Sequence, residues 1–343
     1  GLAASFTQSI REPLMVVFVM LIVFFQVKVL SEPLAPILVS ILLFYRALNS
    51  VMVMQSAIQT TLDRAGSLEM VRDELLALVK NKEGNIGKKT VSFDRGIKLK
   101  DISFRYHEND ESRNILSHID LEIYARQTVA LVGESGAGKS TLVDLITLML
   151  NPTNGQIVID GVLSSDIERE SWRSQIGYVT QETTIFDGTI ASNISMSLEE
   201  RLNEGSHEDR IRNAAKRAHI SHFIETLPDG YETLVGDRGI RLSGGQRQRL
   251  FIARELFREP KLLILDEATS ALDSESELAI QRSIDSLKGQ ITVIVISHRL
   301  STIKNVDSVY VLDEGVLVEQ GAYKELRDSK DSIFRKLVAA QSL

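Results

Sequence analysis

Residues 133–140 read GESGAGKS, and this stretch constrains the fold of the 343-residue chain more than any other. An apolar strand-like run, TVALV, ends at Val132, and the helix-like run TLVDLITLML begins at Thr141. In this context the backbone N–H groups of a glycine-rich turn can curl around a β-phosphate, and the following helix adds its positive N-terminal end. Lys139 would supply a charge to the β- and γ-phosphates, and the Ser140 hydroxyl could ligate Mg²⁺. The pattern predicts a nucleotide-phosphate site, against the alternative of a purely structural glycine turn.

The run KLLILDE, residues 261–267, predicts a buried strand that ends in two acidic residues. Asp266 could hold Mg²⁺, usually through water. Glu267 follows directly and could orient the attacking water or accept a proton from it. Any core strand that ends in acids resembles this motif, so its weight comes from its pairing with residues 133–140.

Short β-branched runs alternate with helical patterns from about Thr90 onward, which indicates an α/β fold with a mostly parallel core sheet. The predicted strands are Ile97 to Phe104, Thr128 to Val132, Gln156 to Ile159, Leu262 to Leu265, Thr292 to Ile296 and Ser308 to Leu312. Few strand signals occur between Asn193 and Phe257, so a helical insertion is predicted there.

The stretch LSGGQRQRLFIARELFREPKLLILDEATSALD, from Leu242 to Asp273, distinguishes the chain from a general phosphate-loop NTPase. It resembles the ABC transporter family almost throughout, and the resemblance covers roughly residues 95–330. In LSGGQ, a helix N-terminus built from small residues offers Ser243 and backbone N–H groups to a γ-phosphate. In the family that phosphate belongs to ATP held by the opposite subunit, so two cassettes sandwich two nucleotides head to tail. The resemblance implies a P-loop cassette with a helical subdomain, with ATP and Mg²⁺ as cofactors.

Other positions match the family's remaining elements. Tyr106, in FRYHE, resembles the aromatic residue that stacks on adenine, with an ordinary strand aromatic as the alternative. Gln181, in YVTQE, resembles the glutamine that senses Mg²⁺, water and the membrane domain, although Thr180 stands where proline is usual. His298, after the strand TVIVIS, resembles the switch histidine that contacts the γ-phosphate, and Ser270 to Asp273 resembles the loop that links the two sites. A surface glutamine and a structural histidine are the alternative interpretations.

The residues expected at the site divide by role. The catalytic candidates are Glu267, His298 and Gln181. The nucleotide-binding candidates are Tyr106, Gly133, Ser135, Gly136, Gly138, Lys139, Ser140, Thr141, Ser243, Gly244, Gly245 and Gln246. The metal-binding candidates are Ser140, Gln181 and Asp266.

The first sixty residues are crowded with apolar side chains, and they predict an all-α transmembrane segment. Leu14 to Leu30 is apolar except for Gln26 and Lys28, and at about 1.5 Å per residue it is at the short end of a spanning helix. Ser31 to Pro33 predicts a tight break, after which Leu34 to Tyr45 resumes the apolar pattern. Two transmembrane helices are predicted, against the alternative of a buried hairpin in a soluble domain.

Basic residues set the predicted orientation. Arg11, Arg46 and Arg64 flank or follow the apolar runs, whereas the turn between the helices carries Glu32. The start of the first helix and the end of the second are therefore predicted to face the cytoplasm, and the turn to face outward. We therefore expect a multi-pass protein of the cell inner (plasma) membrane with a cytoplasmic nucleotide-binding domain. Arg46 would lie about 20 Å along the second helix, where it could face a cavity or snorkel to the inner surface.

The predicted domains are the C-terminal part of a transmembrane domain (1–65), a helical linker (66–89) and an ABC nucleotide-binding domain (90–343). Because two helices cannot enclose a transport path, we expect further helices upstream of Gly1 or on a partner chain. The motif LVGDRG, from Leu234 to Gly239, resembles the crossing loop of exporters, with Asp237 where glutamate is commoner.

Partners follow from the motifs and from the charge. No motif is degenerate, so a homodimer is expected, with a heterodimer as the alternative. FYRALNS (44–50) and GSLE (66–69) are similar to lipid-linked oligosaccharide flippases and related glycan exporters, which implies a lipid-linked glycan as substrate; a multidrug, lipid or peptide exporter is the alternative. A net charge of −7 disfavours a nucleic-acid partner, and the lack of cysteine excludes disulfides and thiol catalysis. The apolar helices and the single cassette disfavour a non-transport ABC ATPase that acts on DNA or the ribosome.

Overall fold

The computed structural model describes residues 2–28, 34–80, 87–106, 114–181, 184–196, 204–236, 240, 242–267, 274–297, 299 and 302–341. The chain divides into two compact units, Gly1–Gly84 and Asn85–Leu343. Among the described residues, the first unit is entirely helical and the second contains all the strands.

Two helices form the described part of the first unit: α1 (Leu2–Lys28) and α2 (Leu34–Lys80). α1 begins well before the predicted start at Leu14, and it continues through Pro13. α2 also continues through Gly66, where a separate linker helix was expected to begin. One glycine costs a helix only about 1 kcal/mol, and the surrounding leucine, alanine, glutamate and arginine residues favour helix strongly enough to offset that cost. The predicted break at 31–33 lies outside the described residues.

Most of the described apolar side chains of both helices are exposed within the chain, as Phe18 and Phe44 illustrate, and Ile37 is a buried exception. In the part of the chain that the structure describes, only one stretch, Ala35–Val79 of α2, is long and apolar enough to cross a membrane. The apolar part of α1, Val16–Lys28, is shorter. Length and composition thus support one spanning helix, and the second one stays a prediction.

The second unit contains short strands and helices in alternation. Its strands are β1 (Gly96–Phe104), β2 (Leu116–Tyr124), β3 (Thr128–Val132), β4 (Asn154–Ile159), β5 (Val162–Leu163), β6 (Ile176–Val179), β7 (Gly188–Thr189), β8 (Leu234–Val235), β9 (Leu262–Asp266), β10 (Thr292–Ile296), β11 (Ser308–Asp313) and β12 (Val316–Gly321). Its helices are α3 (Lys139–Ile146), α4 (Arg169–Arg173), α5 (Ile190–Ser195), α6 (Glu204–Arg217), α7 (Ser221–Glu225), α8 (Gly244–Phe257), α9 (Ser274–Leu287), α10 (Tyr323–Asp328) and α11 (Ile333–Gln341).

Six strands form the central sheet, in the order β12-β11-β3-β10-β9-β6. The neighbours from β11 to β6 are parallel, and β12 pairs antiparallel with β11 at one edge. The predicted mostly parallel core is therefore confirmed. Parallel strands end at the same edge of a sheet, where ligands of α/β proteins bind, so the segments after β3, β6 and β9 share that edge. These segments carry the glycine-rich loop, Gln181 and Glu267.

A second sheet, antiparallel and in the order β2-β1-β4-β5, was not predicted as a separate layer. Side chains of the central sheet alternate between two cores, as the period of a strand requires. Val129 and Leu131 of β3 pack in one core with α3 and the antiparallel sheet. Ala130 and Val132 pack in the other core with α8, α9 and the helices around them.

The predicted helical insertion between Asn193 and Phe257 is present. It contains α6, α7 and α8, and β8 is the one strand within its described residues. Apolar side chains of α5, α6 and α8 contribute to the core on the face of the sheet opposite α3.

Candidate functional site

The glycine-rich loop leaves β3 and enters α3, and two of its glycines meet different demands. At Gly138 φ is 96°, and a Cβ there would lie 2.6 Å from Leu116 Cδ2. At Gly136 φ is 82°, but a Cβ would have no heavy atom within 4 Å. Gly138 therefore permits close packing beneath the helix start, whereas Gly136 borders open space in a left-handed conformation that other residues rarely adopt. Ser135 and Ser140 are exposed, and Gly133 begins the loop.

Lys139 begins α3 and is only 6% exposed. Its Nζ donates hydrogen bonds to the carbonyl oxygens of Gly133 (2.9 Å) and Glu134 (2.8 Å). Burial lowers the pKa of Lys139 below its usual value, and the carboxylates of Glu267 and Asp266 oppose that shift. The fold thus places this ammonium within electrostatic reach of both acids, which lie more than a hundred residues later in the chain.

Asp266 ends β9, and Glu267 follows in an uncommon backbone conformation. The φ of Glu267 is 49°, in the left-handed region that costs a non-glycine residue about 1–2 kcal/mol. Its backbone N–H donates to the carbonyl oxygen of Ile296 at 2.9 Å, so β10 holds this conformation in place. Ten other non-glycine residues among those described share a positive φ, Glu259 among them, so this conformation does not by itself mark Glu267 as catalytic and its role stays a prediction.

Two residues that sequence reasoning missed lie at the same edge. The Tyr178 hydroxyl donates to Asp266 Oδ2 at 3.2 Å. Burial, together with the nearby charge of Asp266, raises the pKa of Asp144. Burial and the charges of Asp266 and Asp144 also raise the pKa of Tyr178, so its hydroxyl stays protonated. The i, i+4 spacing from Ser140 could have indicated Asp144, but no sequence pattern joins Tyr178 to Asp266.

Tyr106 lies beside the loop, although it precedes the loop by more than twenty residues. Its ring is 57% exposed and packs edge-on against Phe104, with ring centroids 5.0 Å apart. Its hydroxyl is 3.3 Å from Thr141 Oγ1. An exposed ring beside the phosphate loop could stack on a base, and the contact of Tyr106 with adenine stays a prediction.

Gln181 follows β6, the strand that pairs with β9. Its side chain is exposed, as is that of Thr180. The structure therefore places Gln181 at the sheet edge that also carries Asp266, and its contact with Mg²⁺ or water stays a prediction.

The LSGGQ motif forms the N-terminus of α8. Ser243 is the N-cap: its backbone N–H donates to Gln246 Oε1 (2.8 Å), and its Oγ accepts from the Gln246 backbone N–H (3.3 Å). Gly244 is the first residue of the helix. A reciprocal capping box satisfies two of the otherwise unpaired donors of a helix start and fixes the entry of the chain into it. Ser243 is exposed, so the motif presents this end of α8 at the surface.

Gly245 is the closest packing point of the motif. A Cβ at Gly245 would lie 2.0 Å from Ser276 Oγ and 2.3 Å from Ser276 Cβ, so α8 and α9 could not keep their present separation. We expect Gly245→Ala to lower the free energy of unfolding by about 1–3 kcal/mol, since overpacking forces the backbone to shift. Denaturant titration measures the loss of stability caused by Gly245→Ala, once in the wild-type protein and once in the Ser276→Gly background. The penalty should shrink in the Ser276→Gly background, and an equal penalty in both would contradict the packing argument.

Three predicted elements lie outside the described residues: His298, Ser270 to Asp273, and Asp237 in the LVGDRG motif. Their roles stay predictions.

The residues at the sheet edge fit a magnesium ion by their chemistry. The exposed Ser140 hydroxyl and the Asp266 carboxylate are hard oxygen donors, and phosphate oxygens are the ligands that Mg²⁺ most often shares with one or two such protein groups. Asp266 and Glu267 both raise the pKa of Lys139 against the effect of its burial, as expected of carboxylates near the lysine.

Comparison with protein-family models matches residues 116–270 to the family described as ABC transporter. Over 254 residues the chain is 43% identical to the ATP-dependent lipid A-core flippase of Ralstonia nicotianae, an alignment that covers 73% of this chain and 42% of that protein. Over 248 residues it is 45% identical to the putative multidrug export ATP-binding/permease protein YgaD of Bacillus subtilis, covering 72% of this chain and 41% of that protein.

Among solved structures, a bacterial Atm1-family ABC exporter with ATP bound is similar to this chain with a TM-score of 0.68 and 36% sequence identity. The similarity covers 82% of this chain and 48% of that one. The chain thus spans less than half the length of each of these relatives.

Proposed function

Residues 116–270 are an ABC transporter ATP-binding domain, and on that premise we propose that this protein hydrolyses ATP to drive export of a substrate across a membrane. The predicted fold class, an α/β ABC cassette with a helical subdomain after a helical segment, is confirmed. We further propose the predicted domain division: residues 1–65 as part of a transmembrane domain, 66–89 as a linker and 90–343 as the cassette. The observation that carries the proposal is a common sheet edge: Lys139 follows β3, and Asp266 and Glu267 lie at the end of β9, in the same parallel sheet.

In the proposed reaction, water attacks the γ-phosphorus of ATP in line with the leaving oxygen. Glu267 orients this water and accepts its proton, as a carboxylate that follows β9 at the same sheet edge as the loop. Lys139, through its ammonium, stabilises the negative charge that develops on the phosphate oxygens. His298 would contact the same γ-phosphate, as the family resemblance implies.

Two further groups hold the nucleotide. Tyr106 would stack on adenine, and the backbone N–H groups of residues 133–141 would bind the phosphates. Ser140 and Asp266 would bind Mg²⁺, which supplies charge neutralisation of the β- and γ-phosphate oxygens. Gln181, beside Asp266, would sense the occupied site.

We propose that each complete site is built from two cassettes. The exposed, capped N-terminus of α8 offers Ser243 and the first backbone N–H groups, which suits a phosphate held by another protein molecule. Both motifs are intact in this chain, so two copies can supply two equal sites and a homodimer suffices.

Mixing two inactive variants tests this arrangement. We expect Lys139→Ala and Ser243→Arg each to abolish ATP turnover, and a 1:1 mixture reassembled in lipid to recover about a quarter of the wild-type rate, since half the dimers are mixed and each has one intact site. The matched control is Lys139→Ala mixed with Asp266→Asn. Lys139 and Asp266 of the same protomer serve the same site, so each site of the mixed dimer carries one of the two changes. That mixture should therefore stay inactive. Equal inactivity of the two mixtures would contradict the shared site.

For the substrate, we propose a lipid-linked glycan, on the similarity of residues 44–50 and 66–69 to glycan exporters. One of the relatives is a lipid A-core flippase, which supports an amphiphilic glycan lipid. YgaD of Bacillus subtilis carries the name of a putative multidrug export protein, which supports the alternative class. The test is the ATPase rate of the protein in lipid, with a lipid-linked oligosaccharide, peptides or amphipathic drugs added in parallel and with Glu267→Gln as the blank. Stimulation by the glycan lipid alone supports the proposal, and stimulation by drugs or peptides alone moves the protein to the alternative class.

The location follows from the same reasoning. We propose a multi-pass protein of the inner (plasma) membrane with a cytoplasmic cassette. The exposed apolar helix α2 and the membrane exporters among the relatives support this location.

A further inference from the structure

Tyr178 joins two strands that end at the proposed nucleotide site. It lies on β6, where it pairs with Ile264 of β9, and Val179 pairs with Leu265. Asp266 follows Leu265, and the Tyr178 hydroxyl donates to Asp266 Oδ2 at 3.2 Å. This is a direct contact between a residue with no assigned role and a proposed ligand of the magnesium ion.

We propose that Tyr178 is a positioning residue for the magnesium site: its hydroxyl fixes the rotation of the Asp266 carboxylate, which then presents its other acceptor positions to the cation. The inference rests on the proposed function, which places Mg²⁺ at Ser140 and Asp266. An ionised carboxylate offers about four acceptor positions, so one hydrogen bond leaves capacity for a metal. An ionised carboxylate has no proton of its own, so the tyrosine must be the donor in this pair.

The structure holds Tyr178 from several sides. Its strand pairs with β9 along the backbone, and its ring packs against the core that also contains α3. The backbone N–H of Tyr178 donates to Glu255 Oε2 at 3.4 Å, and Glu255 is a buried residue of α8. A side chain supported in this way has few other positions, which is the requirement for a group that orients a metal ligand.

Manganese binding tests the proposal without relying on turnover. In this experiment Mn²⁺ replaces Mg²⁺. With ATP present, the electron paramagnetic resonance signal of free Mn²⁺ reports how tightly the protein binds the metal. The Glu267→Gln background prevents hydrolysis of the ATP during the titration. We expect Tyr178→Phe to weaken Mn²⁺ binding about tenfold, the lower end of the effect of removing a hydrogen-bond partner of a metal ligand. Binding of ATP in the presence of EDTA should not change.

Tyr310→Phe is the matched control. Tyr310 is a buried tyrosine of β11 whose hydroxyl donates to the carbonyl oxygen of Glu122 at 2.5 Å, so the same substitution removes one hydrogen bond elsewhere in the core. Its Mn²⁺ affinity should equal that of the parent protein. An equal loss in Tyr178→Phe and Tyr310→Phe would overturn the proposal, as would no loss in either.

A double-mutant cycle with Asp266→Asn separates positioning from a general effect on the fold. If the hydroxyl acts through the Asp266 carboxylate, Tyr178→Phe should weaken Mn²⁺ binding when that carboxylate is present. The same change should have little effect in the Asp266→Asn background, so the two effects are not additive. Equal effects in both backgrounds would mean a structural role only, and would overturn the inference while leaving the proposed function intact. A parent protein that binds ATP but no Mn²⁺ would instead overturn the proposed metal site, and this inference with it.

Discussion

Replacement of Glu267 by Gln is expected to slow ATP turnover about a thousandfold while ATP still binds, because general-base catalysis contributes roughly 10²–10⁴-fold to such rates. The amide keeps the size of the side chain but cannot accept the proton of the attacking water. With ATP and Mg²⁺ present, the variant should accumulate closed dimers, since hydrolysis no longer reopens them. Phosphate release and fluorescent-nucleotide binding measure the first two effects, and light scattering in detergent measures the third.

Glu259→Gln is the matched control for this prediction. Glu259 also has a positive φ, of 53°, and follows α8 on the surface, where it forms a weak pair with Arg210 at 3.7 Å. The same chemical change there should leave turnover within about twofold of wild type, because exposed ion pairs contribute little. If Glu267→Gln kept a rate close to that of Glu259→Gln, the catalytic role of Glu267 would be wrong.

Replacement of Arg254 by Met is expected to lower the free energy of unfolding by about 3–5 kcal/mol, because it removes several charge-assisted hydrogen bonds to neutral oxygens together with two cation–π contacts. Arg254 is 5% exposed. Its guanidinium donates to the Asn193 carbonyl oxygen (2.8 Å), to Asn193 Oδ1 (3.0 Å) and to the Thr184 carbonyl oxygen (3.1 Å). The guanidinium also lies over the rings of Phe186 and Phe251, at 5.3 and 4.9 Å from their centroids.

The reason for this large effect is that methionine fills similar space but donates nothing. The carbonyl oxygen of Asn193, a residue that is 1% exposed, would lose a charged donor, and leaving a buried acceptor without a partner costs about 1–3 kcal/mol. Asn193 Oδ1 would also lose this donor but would still accept from the Phe186 backbone N–H. The segment 184–196 follows Gln181 and α8 begins beside Ser243, so Arg254 ties two elements of the proposed site to each other. We therefore expect ATP turnover to fall with stability.

Thermal denaturation measures the effect, and a shift of about 6–20 °C is expected for a domain of this size. The control is Arg212→Met. Arg212 is exposed, and it pairs with Glu208 at 2.6 Å and lies over the Tyr231 ring. That change should cost under about 1 kcal/mol. Equal shifts for the two variants would show that the Arg254 contacts add little.

The elements best predicted from sequence are those with local signals. The glycine-rich loop needs a strand before it and a helix after it, and TVALV and TLVDLITLML supply both within a short window. The strands of the central sheet are buried on both faces and therefore read as continuous apolar runs, which makes their positions easy to recognise. Burial of every residue of β3 and β10 agrees with that.

The elements missed from sequence depend on distant partners. β2 was not predicted. Its apolar residues alternate from Ile119 to Ile123, but the alternation is broken between Leu116 and Ile119, where the register with β1 shifts. The unbroken course of α2 through Gly66 was missed because a glycine in a polar stretch resembles a boundary. Tyr178 was missed because the Asp266 that its hydroxyl contacts lies 88 residues later in the sequence.

In the proposed mechanism, one cassette completes the nucleotide site of another. A cryo-electron microscopy map of the lipid-embedded Glu267→Gln protein with ATP and Mg²⁺ measures this most directly. We expect two nucleotides in a closed dimer, each with its phosphates between Lys139 of one protomer and the α8 N-terminus of the other. Nucleotides held by single cassettes, with that N-terminus facing solvent while ATP is saturating, would contradict it.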